Sequence, residues 1–370
     1  MNRNLLGVIN LIHESDELES LTAFRCPASV PFGSRYRLVD FALSSMVNSG
    51  ISKVAVFAHT KYRSLMDHLG SGRHWDLHHR QSRLFVLPPL TDDGNEVRRG
   101  DLFHFYQNRD YFNRSDMDYV VITRSHMVCN VDFGPVLEQH VETGADITVV
   151  CKVQSDLLGG TARKVSLDGA GRITGIQDHY GRLDSDLVSM EMYIMRKELL
   201  MEIVDSSLAQ GKDHLVRQAI MGRLDELNVR SYLYDGYLGV VNTVESYYRN
   251  SLELLRPDVW RSLFFEPGPI FTKVKDEPPA RYCSGAKTSN SLIANGSIIE
   301  GTVVNSIIFR GVHVAKGAVV RNSIVMQNGV IGENCVLDRV ILDKDVRIEP
   351  FRELRGAESV PFLAGKRKVI

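Results

Sequence analysis

No run in this 370-residue chain approaches the roughly 18 consecutive apolar residues of a membrane-spanning helix. The opening MNRNLLGVINLIHESDE turns acidic where a secretory signal would need a cleavage site, so a cytoplasmic protein is expected. Neither sign of charge dominates. With 44 Lys and Arg against 45 Asp and Glu, a dedicated binder of nucleic acid or of a membrane surface is not expected. Cysteine is sparse: Cys26, Cys129, Cys151, Cys283 and Cys335 are odd in number, widely spread and lack any C-x-x-C pair. They read as reduced thiols, neither a disulfide framework nor a zinc site. Glycine is absent from the loop that follows the first apolar run, Asn10 to Glu19. That loop carries Glu14, Asp16, Glu17 and Glu19 and no Lys or Arg. Phosphates are bound by close backbone N–H groups and by cations, and this loop offers acid instead.

What is present divides the chain in two. Apolar runs rich in Val and Ile, such as Leu5–Ile9, Lys53–Ala58, Tyr119–Thr123 and Asp146–Val150, alternate with helical patterns. Such runs show no period of two, so they predict a mostly parallel sheet covered on both faces. From about Asn290 a repeat takes over. Ile298-Ile299-Glu300-Gly301-Thr302-Val303 recurs at Val314–Val319 and Ile331–Val336, with Asn305-Ser306-Ile307-Ile308, Asn322-Ser323-Ile324-Val325 and Asp338-Arg339-Val340-Ile341 between. An aliphatic residue every six positions, with small or turn-forming residues between, predicts a parallel β-helix. Prolines at 267, 269, 278 and 279 mark a stiff link. The expected organisation is an α/β domain over 1–250, a connector over 251–289 and the β-helix with its tail over 290–370. Few coils with open ends also suggest oligomerisation through this region.

The stretch Pro31-Phe32-Gly33-Ser34-Arg35-Tyr36-Arg37-Leu38-Val39-Asp40-Phe41-Ala42-Leu43-Ser44, followed by Val47-Asn48-Ser49-Gly50-Ile51, closely resembles the bacterial ADP-glucose pyrophosphorylases, which activate glucose for glycogen synthesis. Gly70-Ser71-Gly72 with Trp75, Ser189-Met190-Glu191-Met192-Tyr193 and Thr243-Val244-Glu245-Ser246-Tyr247 follow in the family's order. The resemblance implies a Rossmann-like nucleotidyltransferase domain with a mixed, mostly parallel sheet, then a left-handed parallel β-helix. It also exposes losses. Where the family has G-G-x-G-S/T-R-L, this chain has Ile12, His13, Glu14, Ser15, Asp16, Glu17 and Leu18, and Glu17 reverses the arginine's charge. The two metal-holding aspartates of the family correspond to Ser125 and Val240. The E-K-P lysine has no match near Ile176–His179, and the glycine of S-M-G is Glu191.

Nucleotidyl transfer needs carboxylates to hold magnesium against the phosphates, and neither a hydroxyl nor a hydrocarbon does this. The resemblance therefore implies a degenerate site at His13, Ser15, Glu17, Ser125, Glu191 and Val240. It implies no catalytic residue, metal or cofactor in this chain, with magnesium and ATP belonging to a catalytic partner. The chain is similar to the non-catalytic type of subunit that accompanies that partner, which points to a hetero-tetramer. Two alternatives stand beside it. One is a weak sugar-1-phosphate nucleotidyltransferase with relocated ligands, for which Asp116, Asp118 and Asp132 lie nearby in sequence. The other is a homo-oligomeric scaffold. Arg25, Arg35 and Arg37, with Arg339 from the β-helix, are candidates for a small anionic effector; Arg35 and Arg37 could equally pair with Asp40 along a strand edge. His74 and His78 have the spacing of two ligands on one helix face, but with no third ligand evident, ordinary loop packing around Trp75 is the expectation.

Overall fold

The computed structural model describes residues 4–79, 82–89, 99–178, 185–357 and 360–370. Its first sheet has nine strands: β1 (Leu5–Asn10), β2 (Lys53–Phe57), β3 (Arg83–Leu87), β4 (Tyr119–Thr123), β5 (Ile147–Val153), β6 (Lys164–Leu167), β7 (Ile173–Gln177), β8 (Leu187–Arg196) and β9 (Val229–Leu233). The main path runs β7-β6-β8-β4-β1-β2-β3, with β5 paired to β8 and β9. Strands β4, β1, β2 and β3 are parallel, whereas β8 runs antiparallel to both β4 and β5. All six residues of β1 are buried, which is why LLGVIN shows no alternation. Leu5 and Ile9 face one core with Leu43 and Met46 of the helix Leu38–Asn48, and Leu6 and Val8 face a second core with Leu102 and Ile203. Gly7 permits the close helix contact, since a Cβ there would lie 2.8 Å from the Met46 sulfur.

Three further sheets of five strands each, all parallel, form the faces of the left-handed β-helix. Its first coil starts at Arg281, inside the stretch that composition marks as connector. Arg281–Tyr282, Lys287–Ser289 and Leu292–Ile293 already pair with the next coil. The earlier part of that stretch is helical, in the end of Val244–Glu253 and in Pro257–Phe264; Pro257 occupies the first helical position of the second, where a missing N–H is harmless. One corner of the coil is taken by Asn290, Asn305, Asn322 and Arg339, at φ of 40, 48, 46 and 55°. Asparagine tolerates this left-handed region. Its amides also form a ladder, Asn290 to Asn305 at 2.8 Å, Asn305 to Asn322 at 2.7 Å and Asn322 to Asp338 at 2.9 Å.

The two units share one apolar seam. Phe32, Phe41, Tyr247 and Leu263 pack with Ile307, Phe309, Ile324 and Ile341 of the coils, and the Tyr248 hydroxyl donates to the Asn322 carbonyl at 2.6 Å. Among the described residues, no helix is long and apolar enough to cross a membrane.

Candidate functional site

The loop after β1 lies at the carboxyl ends of the parallel strands, the usual place for a ligand in such sheets. A cavity of about 250 Å³ opens there, lined among others by His13, Glu14, Arg124, Arg163 and Glu191, with Ser15 and Glu17. His13 has φ of 52°. A left-handed backbone favours glycine, and under a histidine it carries a strain of about 1–2 kcal/mol. The ring is held by the Arg99 carbonyl, 2.8 Å from Nε2, and lies 4.6 Å from the His59 ring. The backbone N–H of Glu17 donates to the Asn242 carbonyl at 2.8 Å, which ties the acidic loop to the segment after Val240.

Ser125 is buried at the end of β4, and its hydroxyl donates to the Glu14 carboxylate at 2.8 Å. Its neighbour Arg124 donates through Nη1 to the carbonyls of Asn10 and Ile12, at 3.1 and 2.6 Å. The same guanidinium lies 3.5 Å from Asp101 and 3.5 Å from Glu191. Glu191 sits at a bulge in β8, where the register with β5 shifts between Ser189 and Met192, and has φ of 52°. This left-handed conformation is one that glycine adopts most readily. Arg163 reaches Glu191 and Asp178 at 2.9 Å each, and Arg217 reaches the other Asp178 oxygen at 2.9 Å. Burial pushes the Glu191 carboxyl up, but Arg163, then His126 and Arg124, outweigh it and hold it at about 2. His126 lies between Glu14 and Glu191, at 3.6 and 4.0 Å.

Sequence reasoning placed Val240 in this site, but it is fully buried in an apolar cluster, on a strand paired with Met127. Asn242, two residues on, lines the cavity and bonds Thr161 through both ends of its amide. Asp116, Asp118 and Asp132 are elsewhere: they pair with Lys53, pair with Asn4, and cap the helix Phe133–Glu142. His179 lies outside the described residues. The residues do not fit a magnesium ion. A hard dication needs several carboxylate oxygens free to turn toward it; of the five carboxylates lining the cavity, Glu14, Asp101, Asp178 and Glu191 are already engaged with a hydroxyl or a cation, and Glu17 alone is too few. Arg124 and Arg163 were not singled out from sequence, and Glu14 was read only as one acid of the loop after β1. The one available signal was that Arg124 immediately precedes Ser125, the position of a metal-holding aspartate in the family.

The arginines separate into different roles. Arg25, only 4% exposed, donates from Nη2 to both oxygens of the fully buried Asp343 of the β-helix, at 2.8 and 2.7 Å. Arg37 donates to the carbonyl and hydroxyl of Ser64, at 2.6 and 2.9 Å. Asp40 binds His68 at 2.6 Å and the Arg37 backbone N–H, not its guanidinium. Arg35 is exposed and folds over the Tyr36 ring. Arg339 takes a coil corner beside Tyr248. The cation that joins Arg25 and Arg37 is Lys344: burial, then Arg37 and Arg25, push its ammonium down to about 7. Trp75 is buried and meets His68 edge-on at 5.6 Å.

Residues 15–232 match the nucleotidyl transferase family, and 278–355 match the GlmU-like C-terminal hexapeptide family. The chain is 40% identical over 365 residues to glycogen biosynthesis protein GlgD of Bacillus subtilis, covering 99% of this chain and 96% of that protein. It is 44% identical over 394 residues to GlgD of Geobacillus stearothermophilus, covering 100% and 98%. Glucose-1-phosphate adenylyltransferase of Thermotoga neapolitana is 32% identical over 326 residues, covering 86% and 76%. With a nucleotidyl transferase sheet, a hexapeptide β-helix and full-length likeness of this degree, the chain belongs to the GlgD branch of the glucose-1-phosphate adenylyltransferase family.

Proposed function

We propose that this chain is a regulatory, catalytically degenerate subunit that supports ADP-glucose formation from ATP and glucose 1-phosphate, for glycogen synthesis, by associating with a catalytic subunit. The observation that carries this is the ion-pair network across the cavity. Arg124, Glu191, Arg163 and Asp178 satisfy one another, and Glu14 holds Ser125, where reacting phosphates would need uncommitted cations and magnesium-binding carboxylates. Transition-state stabilisation of that kind is worth several kcal/mol per element. The role left to the chain is to favour the active conformation of a partner, by binding it more tightly than the inactive one.

The test is an assay with ATP, magnesium and glucose 1-phosphate. The purified chain alone is expected to show no turnover, and the same chain mixed with the catalytic subunit is expected to raise that subunit's rate or shift its effector response. Ser125→Asp combined with Val240→Asp is expected to gain nothing, because residue 240 points into the apolar core and Glu14 occupies residue 125. Turnover by the chain alone at ordinary enzyme rates would sink the proposal. Light scattering on the mixture decides between a hetero-tetramer and a homo-oligomer.

A small anionic effector is favoured by one specific observation, the convergence of Arg25, Arg37 and Lys344 around the buried Asp343 at the domain seam, with Asp40 and Asp67 also near Arg37. An anion bound there would restore the Lys344 proton and stabilise the folded state by mass action. At pH 7 inorganic phosphate or a sugar bisphosphate is expected to raise the melting temperature, and Lys344→Met or Arg37→Met to abolish the rise. An equal rise in all three proteins would remove the site.

A further inference from the structure

We propose that Asp76, His78 and His79 form a surface site for one divalent transition-metal ion of the zinc type, on the side of the α/β domain bearing the turn Arg73–Trp75. The three offer one ligand atom each, all within 4.8 Å of one another, and all three residues are exposed. His79 Nε2 lies 2.8 Å from Asp76 Oδ1, and the His78 and His79 rings stand side by side with centroids 3.9 Å apart. A tetrahedral zinc ion with bonds of about 2.0–2.1 Å separates its ligand atoms by roughly 3.4 Å. Small side-chain rotations therefore suffice, and the ion would replace the proton that Asp76 and His79 now share.

The backbone beneath the trio is fixed on both sides. Trp75 and Leu77 are buried, at 1% and 2% exposure, so the chain between and after them has little freedom. Asp76 takes a left-handed conformation, with φ of 58°, which turns its carboxylate out of the core. The Leu77 N–H donates to the Gly72 carbonyl and the Leu77 carbonyl accepts from Leu84, while His78 bridges to Arg83 in antiparallel fashion. The donor set selects the metal: two imidazole nitrogens and one carboxylate oxygen suit zinc, nickel or copper, whereas magnesium and calcium prefer oxygen alone. Three protein ligands leave one position for water. The site differs from the His74 and His78 pairing that the spacing suggests. His74 meets the Trp75 ring at 6.2 Å and is not one of the three, because the turn Arg73–Trp75 ends at Asp76 and no helix continues to carry 74 and 78 on one face.

The experiment is calorimetric titration of the untagged full chain with zinc chloride alone at pH 7.5, and with cobalt chloride followed by visible absorption. One ion per chain is expected, with magnesium unable to compete. His78→Ala, His79→Ala and Asp76→Ala are each expected to weaken zinc binding at least tenfold, and His74→Ala to leave it unchanged. Far-ultraviolet dichroism and melting of each variant show that the fold is intact, as substitution of exposed side chains should leave it; where Asp76→Ala melts early, Asp76→Asn replaces it. Zinc binding that is unaltered by both histidine variants, or lost equally in His74→Ala, overturns the assignment, as does the absence of any zinc binding by the native chain.

Discussion

Replacing Asp343 with alanine is expected to lower the unfolding free energy by about 3–5 kcal/mol, the range for breaking one side of a buried ion pair. Arg25 would be left without its two charge-assisted bonds in a place where it is only 4% exposed, with the cations Arg37 and Lys344 close by. The damage would fall on the seam between the α/β domain and the coils. Urea unfolding is the measurement, and a loss below about 1 kcal/mol would show that the pair is dispensable. Arg25→Met with Asp343→Leu is expected to lose less than Asp343→Ala alone, since removing both charges leaves neither stranded. The pH dependence has a definite sign. Lys344 is held at about 7 in the fold against roughly 10.4 in an unfolded chain. Between these values the folded state has released a proton that the unfolded state still carries, so stability rises as pH increases from about 7. Asp343 is the group that raises the Lys344 pKa; without it, the rise is expected to begin at lower pH.

The β-helix was legible because its physics is local and periodic. One aliphatic residue per six fills each face, and Asn305 and Asn322 announce corners through their tolerance of positive φ. The start of the coils was harder to see: Arg281–Tyr282 and Lys287–Ser289 are exposed, so of the three strands of the first coil only Leu292–Ile293 carries an apolar signal. The central strands of the α/β domain were legible from their unbroken apolar runs. The site was legible in what it had lost and opaque in what replaced it. Arg124, Arg163 and Glu191 come from the end of β4, the approach to β6 and the bulge of β8, and a contact among them depends on sheet order that no local pattern encodes. Val240 shows the same limit at the scale of one side chain. A motif alignment gives its position, but Val240 packs in the core, and the cavity is lined by Asn242, beyond the end of the two-residue strand Gly239–Val240.

Glu191 makes that network testable, and Glu191→Gln is expected to cost about 3–5 kcal/mol at pH 7 while leaving the side-chain volume unchanged. Of their carboxylate partners Arg163 would keep Asp178 and Arg124 would keep Asp101, in a site where Glu191 now faces both. Its carboxyl is held at about 2 against roughly 4.3 when unfolded. A depressed carboxylate contributes its full stability above the unfolded value, and the contribution disappears as pH falls through about 4 toward 2. The native chain and the glutamine variant should therefore differ most at neutral pH and converge near pH 2, as read by denaturant unfolding across that range. Glu191→Gly separates charge from backbone. It removes the same carboxylate but relieves the left-handed strain at φ of 52°, worth about 1 kcal/mol, so before any loss of packing it should stand closer to native than glutamine does. A glutamine variant as stable as the native chain at pH 7 would mean that the arginines had found water instead, and that the cavity remains open to an anion from outside.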